Sequence, residues 1–304
     1  MVEHGRDGEA GWRQMLRATQ STWREQAGLA AGADRHGEPL GSALTSHDAE
    51  AGRNFLTDTI WERVQSDLQH AAAAAPPKPV LRRDRLLGNL LSSQPLCFNL
   101  FAELDTRTGR RLITKAARLL WPGVVDQITK VEFEWSPGRD DKAFLGNRSA
   151  FDVALFHTTP DDGTGVIGIE VKYHEDLTGT AGDLRARAVE VAEAAGIDAT
   201  KPKYQQGRLN QLLLDHLLAL SIGQHPEQPF GRARFVLLYP AANPACARAT
   251  AEYGQSVNGR GFEGLTLERL VGTLRAHSSD AWLDTFADRY LNFGRATALG
   301  YLAR

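Results

Sequence analysis

A chain of 304 residues, 42% hydrophobic and 24% charged, has the length and composition to bury a globular core. Its formal net charge of -2 excludes a globally basic field, so any nucleic-acid contact must come from a local patch. Two cysteines, Cys97 and Cys246, exclude a disulfide framework. With no secretory pattern at the N-terminus and no bilayer-length apolar run, they point to a cytoplasmic protein with no membrane partner.

Trp12, Met15, Leu16 and Trp23 recur at helical spacing and predict a first helix. A Gly-rich interval, AGADRHGEPLGS, precedes a helix predicted from about Ala49 to His70, with Phe55, Ile60, Val64 and Leu68 on its apolar face. Pro76, Pro77 and Pro79 stop any helix and mark a linker, which gives a helical N-terminal extension over residues 1–80. RLLGNLLSSQPLCFNLFAEL predicts a helix broken near Pro95 and resumed toward Glu103, and a second helix covers Thr106 to Leu120. VEFEW (131–135) alternates as a half-buried strand, and SPGRDDKAFLGNR reads as a loop. AFDVALFH (150–157) and GVIGIEVKY (165–173) are two more strands, joined by the turn TTPDDGTG. A helix from about Tyr204 to Ile222 and a buried strand, RFVLLYP (234–240), follow. Two helices, about Leu265 to Ala276 and Asp280 to Phe293, form a C-terminal extension over 246–304 packed on a core over 81–245. The order helix, three strands, helix, strand predicts an α/β fold, αβββαβ, with a mixed central sheet flanked by helices.

The third strand poses a physical problem. IGIEVKYHED places Glu170 and Lys172 inside an apolar run, where charge is costly unless paired or metal-bound. Alternation sends Ile167, Ile169, Val171 and Tyr173 to one face and Gly168, Glu170, Lys172 and His174 to the other. The preceding strand offers one acid, Asp152, between Phe151 and Val153. In a hairpin, Asp152 and Glu170 converge, with Lys172 beside them. Two such carboxylates repel unless a cation lies between them, and Mg²⁺ favours carboxylate oxygen and water. Asp152, Glu170 and the Val171 carbonyl are then the predicted metal ligands. Lys172 is placed to orient a nucleophilic water or to meet charge on phosphate, which predicts phosphodiester hydrolysis. His157 and His174 lack zinc-type spacing.

Asp152 followed by Glu170-Val171-Lys172 resembles the motif of the PD-(D/E)xK nuclease superfamily, with Phe151-Asp152 standing where Pro-Asp would be. NLLSSQPLCFNLF, FEWSPGR, NRSAFDVAL and IGIEVKYHEDL resemble a bacterial family of restriction-endonuclease-like proteins over roughly residues 50–240. The resemblance implies a restriction-endonuclease-like core, Mg²⁺ with Mn²⁺ able to substitute, a DNA substrate cut internally, and a homodimer as an assembly suited to double-strand cutting. It also implies a further acid from the first core helix, for which Glu103 is the positional match and Glu134 the rival. A helical Gln is implied too, and Gln211 fits, in a polar stripe of Tyr204, Arg208, Gln211 and Asp215. Arg139, Lys142, Arg148 and Arg208 are expected nucleic-acid contacts, the first three equally suited to a solvated loop. The competing expectation is an inactive protein on a nuclease fold that binds nucleic acid or a protein partner.

Overall fold

The computed structural model describes residues 11–73, 81–177, 182–205, 208–225, 227 and 230–294. They group into two units, Met1–Glu103 with Ser278–Arg304, and Leu104–His277. The boundaries expected near 80 and 245 both lie inside these units.

The first unit opens with α1 (Gly11–Gln26), which buries Met15 and Leu16 as their spacing predicts. The Gly-rich interval forms an antiparallel pair, β1 (Ala31–Ala33) and β2 (Pro39–Leu44). Its turn is held by Asp34 Oδ1, which accepts the N–H groups of His36 and Glu38 at 2.8 and 3.1 Å, while Gly37 takes φ +85°. The span read as one helix is two, α2 (Ser46–Glu50) and α3 (Asp58–Ala73). Gly52, at φ +75°, turns the chain between them, and a Cβ there would come within 2.5 Å of the Trp61 ring. Pro76, Pro77 and Pro79, read as a linker, lie outside the described residues. A π-helical turn, Asp84–Gly88, leads to α4 (Ser93–Phe101). Pro95 does not break this helix. It sits in the first turn after the Ser92 cap, where its missing N–H forfeits no helical hydrogen bond.

In the second unit, Thr106 caps α5 (Arg107–Leu120) by accepting the Gly109 N–H at 3.0 Å. Strands β3 (Gln127–Trp135), β4 (Phe151–Thr158) and β5 (Thr164–Val171) follow, then helices α6 (Ala186–Ala194), α7 (Pro202–Gln205) and α8 (Arg208–Gly223). β6 (Arg232–Tyr239), α9 (Pro244–Val257), β7 (Phe262–Thr266) and α10 (Leu267–Arg275) complete the unit. The sheet order is β3-β4-β5-β6-β7. The first three strands pair antiparallel and the last three parallel, so the expected mixed sheet flanked by helices is what the chain forms. α6, α9 and β7 are additions to the expected order. The helix predicted from Leu265 begins at Leu267, because the two preceding residues extend β7 beside β6.

The sheet is apolar on both faces at its centre: in β5 every residue from Gly165 to Val171 is buried. On one face Leu212, Leu213 and Leu217 of α8 pack with Phe235 and Leu237 of β6. Gly168 lies on that face because Phe151 covers it; a Cβ would meet the ring at 2.5 Å. Glu170 stands opposite Leu237 in the parallel register and so points to the α8 face as well. The chain then re-enters the first unit through α11 (Ala281–Tyr290), which buries Phe286, Arg289 and Tyr290.

Candidate active site

The antiparallel ladder between β4 and β5 runs from Thr158 and Thr164 to Val153 and Ile169. Asp152 and Glu170 occupy the next step. There a side chain replaces the ladder: the Val171 N–H donates to Asp152 Oδ2 at 2.7 Å. Beyond β5 the backbone stays attached to β6, with the Lys172 N–H donating to the Leu238 carbonyl at 2.9 Å. The exit is clamped by Asn243, the fully buried cap of α9, whose Nδ2 donates to the carbonyls of Tyr173 and Glu175 at 3.3 and 3.1 Å.

Alternation along β5 sends Lys172 back over Glu170, and Lys172 Nζ donates to Glu170 Oε1 at 2.6 Å. From α8, Gln211 Nε2 donates to the same Oε1 at 2.7 Å. Glu170 is 7% exposed and Lys172 9%, whereas Asp152 and Gln211 remain half-buried and reachable. The cluster is therefore polar, with two partly exposed members. Asp152, Glu170, Lys172 and Gln211 are brought together.

Negative charge outnumbers positive here. Burial pushes the Asp152 carboxyl well above its ordinary value, and Glu170 and Glu134 push it further; Lys172 and the Val171 N–H only partly offset them. Burial opposes the Lys172 charge, yet Glu170, Glu175 and Asp152 outweigh it and hold the ammonium above the ordinary lysine value. For Glu175 burial is again opposed, by His174, Lys172 and the Tyr173 N–H, and its carboxyl sits below the usual value.

Asp215, named only as a member of the helical stripe, is a site neighbour that the sequence reading left without a role. It lies one turn beyond Gln211 on α8 and is 6% exposed. Its Oδ2 has no hydrogen-bond partner. Burial and then Glu170 push its carboxyl well above the ordinary value, against Lys172 and a hydrogen bond from Gln211. The i, i+4 spacing of Gln211 and Asp215 on a helix facing Glu170 was the available signal.

Among the described residues, no side chain of the other expected members hydrogen-bonds to those of Asp152, Glu170, Lys172 and Gln211. Glu103 belongs to the first unit, in the 3₁₀ turn Glu103–Asp105 after α4, where it accepts the Thr57 hydroxyl at 2.5 Å. Its rival Glu134 lies on β3 in the sheet unit and adds to the negative field at Asp152. Glu134 also takes φ +49°, a left-handed conformation uncommon for a non-glycine residue, with its carbonyl accepting from Arg139 at 2.9 Å. Tyr204 is not part of the α8 stripe. It lies on α7, packed in the core, with its hydroxyl on Ser256 at 2.6 Å. Arg148 pairs with Asp140 at 3.0 Å, while Arg139 also donates to the Arg148 carbonyl at 3.0 Å. Lys142 is exposed, and Arg208 opens α8 with its side chain outside the described residues.

The donor set fits a hard divalent cation. Both donors to Glu170 take Oε1, and among the described residues no hydrogen bond uses Oε2. Asp152 is engaged through Oδ2, which leaves Oδ1. With the orphan Asp215 Oδ2, several carboxylate oxygens have lone pairs to spare beside one ammonium. Among the described residues no group of three or more His, Cys, Asp or Glu side chains forms a ready metal cage. A pair of carboxylates suffices for an ion that retains most of its waters.

The sequence model of the PD-(D/E)XK nuclease superfamily matches residues 7–292, nearly the whole chain. No curated protein and no solved structure matches. Members of that superfamily generally use divalent metal ions. Among the described residues no helix is long and apolar enough to cross a membrane.

Proposed function

The chain belongs to the PD-(D/E)XK nuclease superfamily, and from that premise we propose that it is an Mg²⁺-dependent DNA endonuclease with its active site at Asp152, Glu170 and Lys172. One observation carries this reading: in an otherwise apolar sheet interior, Glu170 and Lys172 are buried in contact while Asp152 stands beside them with an open side. A charged cluster of this kind is a poor stabiliser and a usual feature of reactive sites.

Asp152, Glu170 and the Val171 carbonyl would hold the cation, with Mn²⁺ able to replace Mg²⁺. Bound there, it supplies Lewis acidity toward water and phosphate. The protein's own groups do the rest. Lys172 is placed to act as a donor, as its Nζ already does toward Glu170 Oε1. It orients the attacking water and meets the negative charge that grows on the phosphate oxygens. Gln211 donates to Glu170 Oε1 and so fixes which carboxylate oxygen remains for the ion. Glu134, whose charge acts on Asp152, completes the acidic set in preference to Glu103. Cutting both strands of a duplex calls for two such sites, hence a homodimer.

The test is calorimetric titration of Mg²⁺ and Mn²⁺ into wild type and Asp152→Ala/Glu170→Ala, with cleavage of plasmid DNA measured alongside. Metal binding and nicking are expected in the wild type and absent from the folded double variant, a rate loss of at least about 10³-fold, or about 4 kcal/mol of barrier. Undiminished cleavage by the double variant would sink the assignment. Wild type that binds DNA and neither binds metal nor cleaves would make this an inactive, binding-only member of its family.

A further inference from the structure

The strongest feature outside the carboxylate cluster is the outer face of α5. Arg107, Arg111, Lys115 and Arg118 follow one another at steps of four, four and three residues and all are exposed, while Leu112, Ile113, Ala116 and Ala117 are buried behind them. With Arg110 they line an open groove of about 660 Å³ against the first residues of β3, and no acidic residue lines it. Arg110 and Arg118 have acidic partners, Asp105 at 3.8 Å and Asp126 at 2.8 Å. Among the described residues no ion pair holds Arg107, Arg111 or Lys115. Such a concentration is notable in a chain with a net charge of -2.

The row also has a direction. Arg118, near the end of α5, donates to the Asp126 carbonyl at 2.6 Å, just before β3 begins. Arg110 donates to the Thr129 carbonyl at 3.1 Å, and Asp105, ahead of the helix, accepts the Val131 N–H at 3.0 Å. α5 therefore runs antiparallel to β3. Its cations run beside the edge strand toward the strand end that carries Glu134 and, on the neighbouring strand, Asp152, although α5 contributes no residue to the core on the α8 face.

We propose that this α5 groove is a sequence-independent seat for the phosphate backbone of DNA, laying the duplex along the edge of the sheet toward the carboxylates. The inference rests on the nuclease reading of the site. Four of the five cations are arginines, whose planar guanidinium groups suit phosphate bidentately. From Arg107 to Arg118 the helix rises about 16 Å, a span over which duplex DNA carries about ten phosphate charges. A membrane-surface helix would instead expose its apolar face, and that face of α5 is buried.

The experiment measures binding of two fluorescent duplexes of unrelated sequence across a salt series, in chelator so that nothing is cut, for wild type and Arg107→Gln/Arg111→Gln/Lys115→Gln. The triple variant is expected to bind both duplexes at least about tenfold more weakly. Its plot of log affinity against log salt should be shallower by about 2.7, three contacts at about 0.9 each. Unchanged affinity and slope overturn the groove, as does wild type that binds no duplex. Binding of wild type to anionic phospholipid vesicles, lost in the variant while duplex binding is retained, overturns it too. Cleavage by wild type and Glu170→Gln separates the two claims. Cleavage lost in Glu170→Gln with an unchanged slope in the triple variant refutes the groove and spares the nuclease reading. A reduced slope in the triple variant, with no cleavage by wild type, supports the groove and refutes that reading.

Discussion

Both units bury cationic side chains, and Arg289 and Lys172 are treated differently. Arg289 in the first unit is fully buried and matched donor for acceptor: Nη1 and Nη2 donate to the carbonyl and Oδ1 of Asn54 at 2.7 and 2.5 Å, and Nε donates to Gln20 Oε1 at 3.2 Å. Its guanidinium lies 3.8 Å from the centre of the Trp23 ring. Lys172 in the second unit sits among acids that exceed it, with a carboxylate oxygen of Asp215 left unpartnered. A network closed in this way stabilises a fold, whereas an excess of one sign holds back stability and leaves groups available for a ligand.

Substitutions bear directly on that contrast. Arg289→Met strands the acceptors of Asn54 and Gln20 and should cost about 4 kcal/mol in urea unfolding; a loss below about 1 kcal/mol would show that the network is not what holds this unit. Lys172→Met, assayed at saturating Mg²⁺, should slow cleavage about 10²- to 10³-fold, or about 3–4 kcal/mol, with metal binding retained. His216 offers a titratable counterpart to Arg289. It is fully buried, bonded to the Tyr253 hydroxyl and the Arg260 carbonyl at 2.9 and 2.6 Å, and burial holds its pKa down to about 4. Its folded value lies below the unfolded one near 6.5, so its contribution is complete above about pH 6.5 and lost as pH falls toward 4. That loss is about 3 kcal/mol, and unfolding of His216→Phe at pH 7 and 4.5 should show this component removed. The smallest effect is expected from Asp215→Asn. Removing a crowded carboxylate should raise the stability of the metal-free protein at pH 7 by about 1 kcal/mol, read as a higher thermal midpoint. A decrease would mean that Asp215 is matched after all.

The sheet's first three strands were legible because alternation and turn chemistry are local signals. The same parity put Glu170 and Lys172 on one side, and their 2.6 Å contact follows from it. β7 was not legible: five residues with a glycine in the middle carry too little alternation, and the strand exists because β6 offers it a parallel edge. Pro95 was misread because a proline breaks a helix interior but is tolerated in a first turn, and only the Ser92 cap fixes where that turn falls. Tyr204 was drawn onto the wrong face because it belongs to a separate helix, α7. The burial of Asp215 and the left-handed backbone of Glu134 are products of tertiary packing, which single-residue patterns do not encode.

The topology also sets an order of assembly. Asp152 and Glu170 sit on adjacent strands joined by the short turn 159–163, so one hairpin brings them together, an event of microseconds. Gln211 on α8 and the Leu238 carbonyl on β6, which anchors Lys172, are separated from β5 by the long crossover connection, far more chain than the hairpin turn. Closing that longer loop is the slower step. During refolding the two acids should therefore meet before the amide from α8 arrives, and divalent cation added early should speed the hairpin's consolidation more than the crossover that follows.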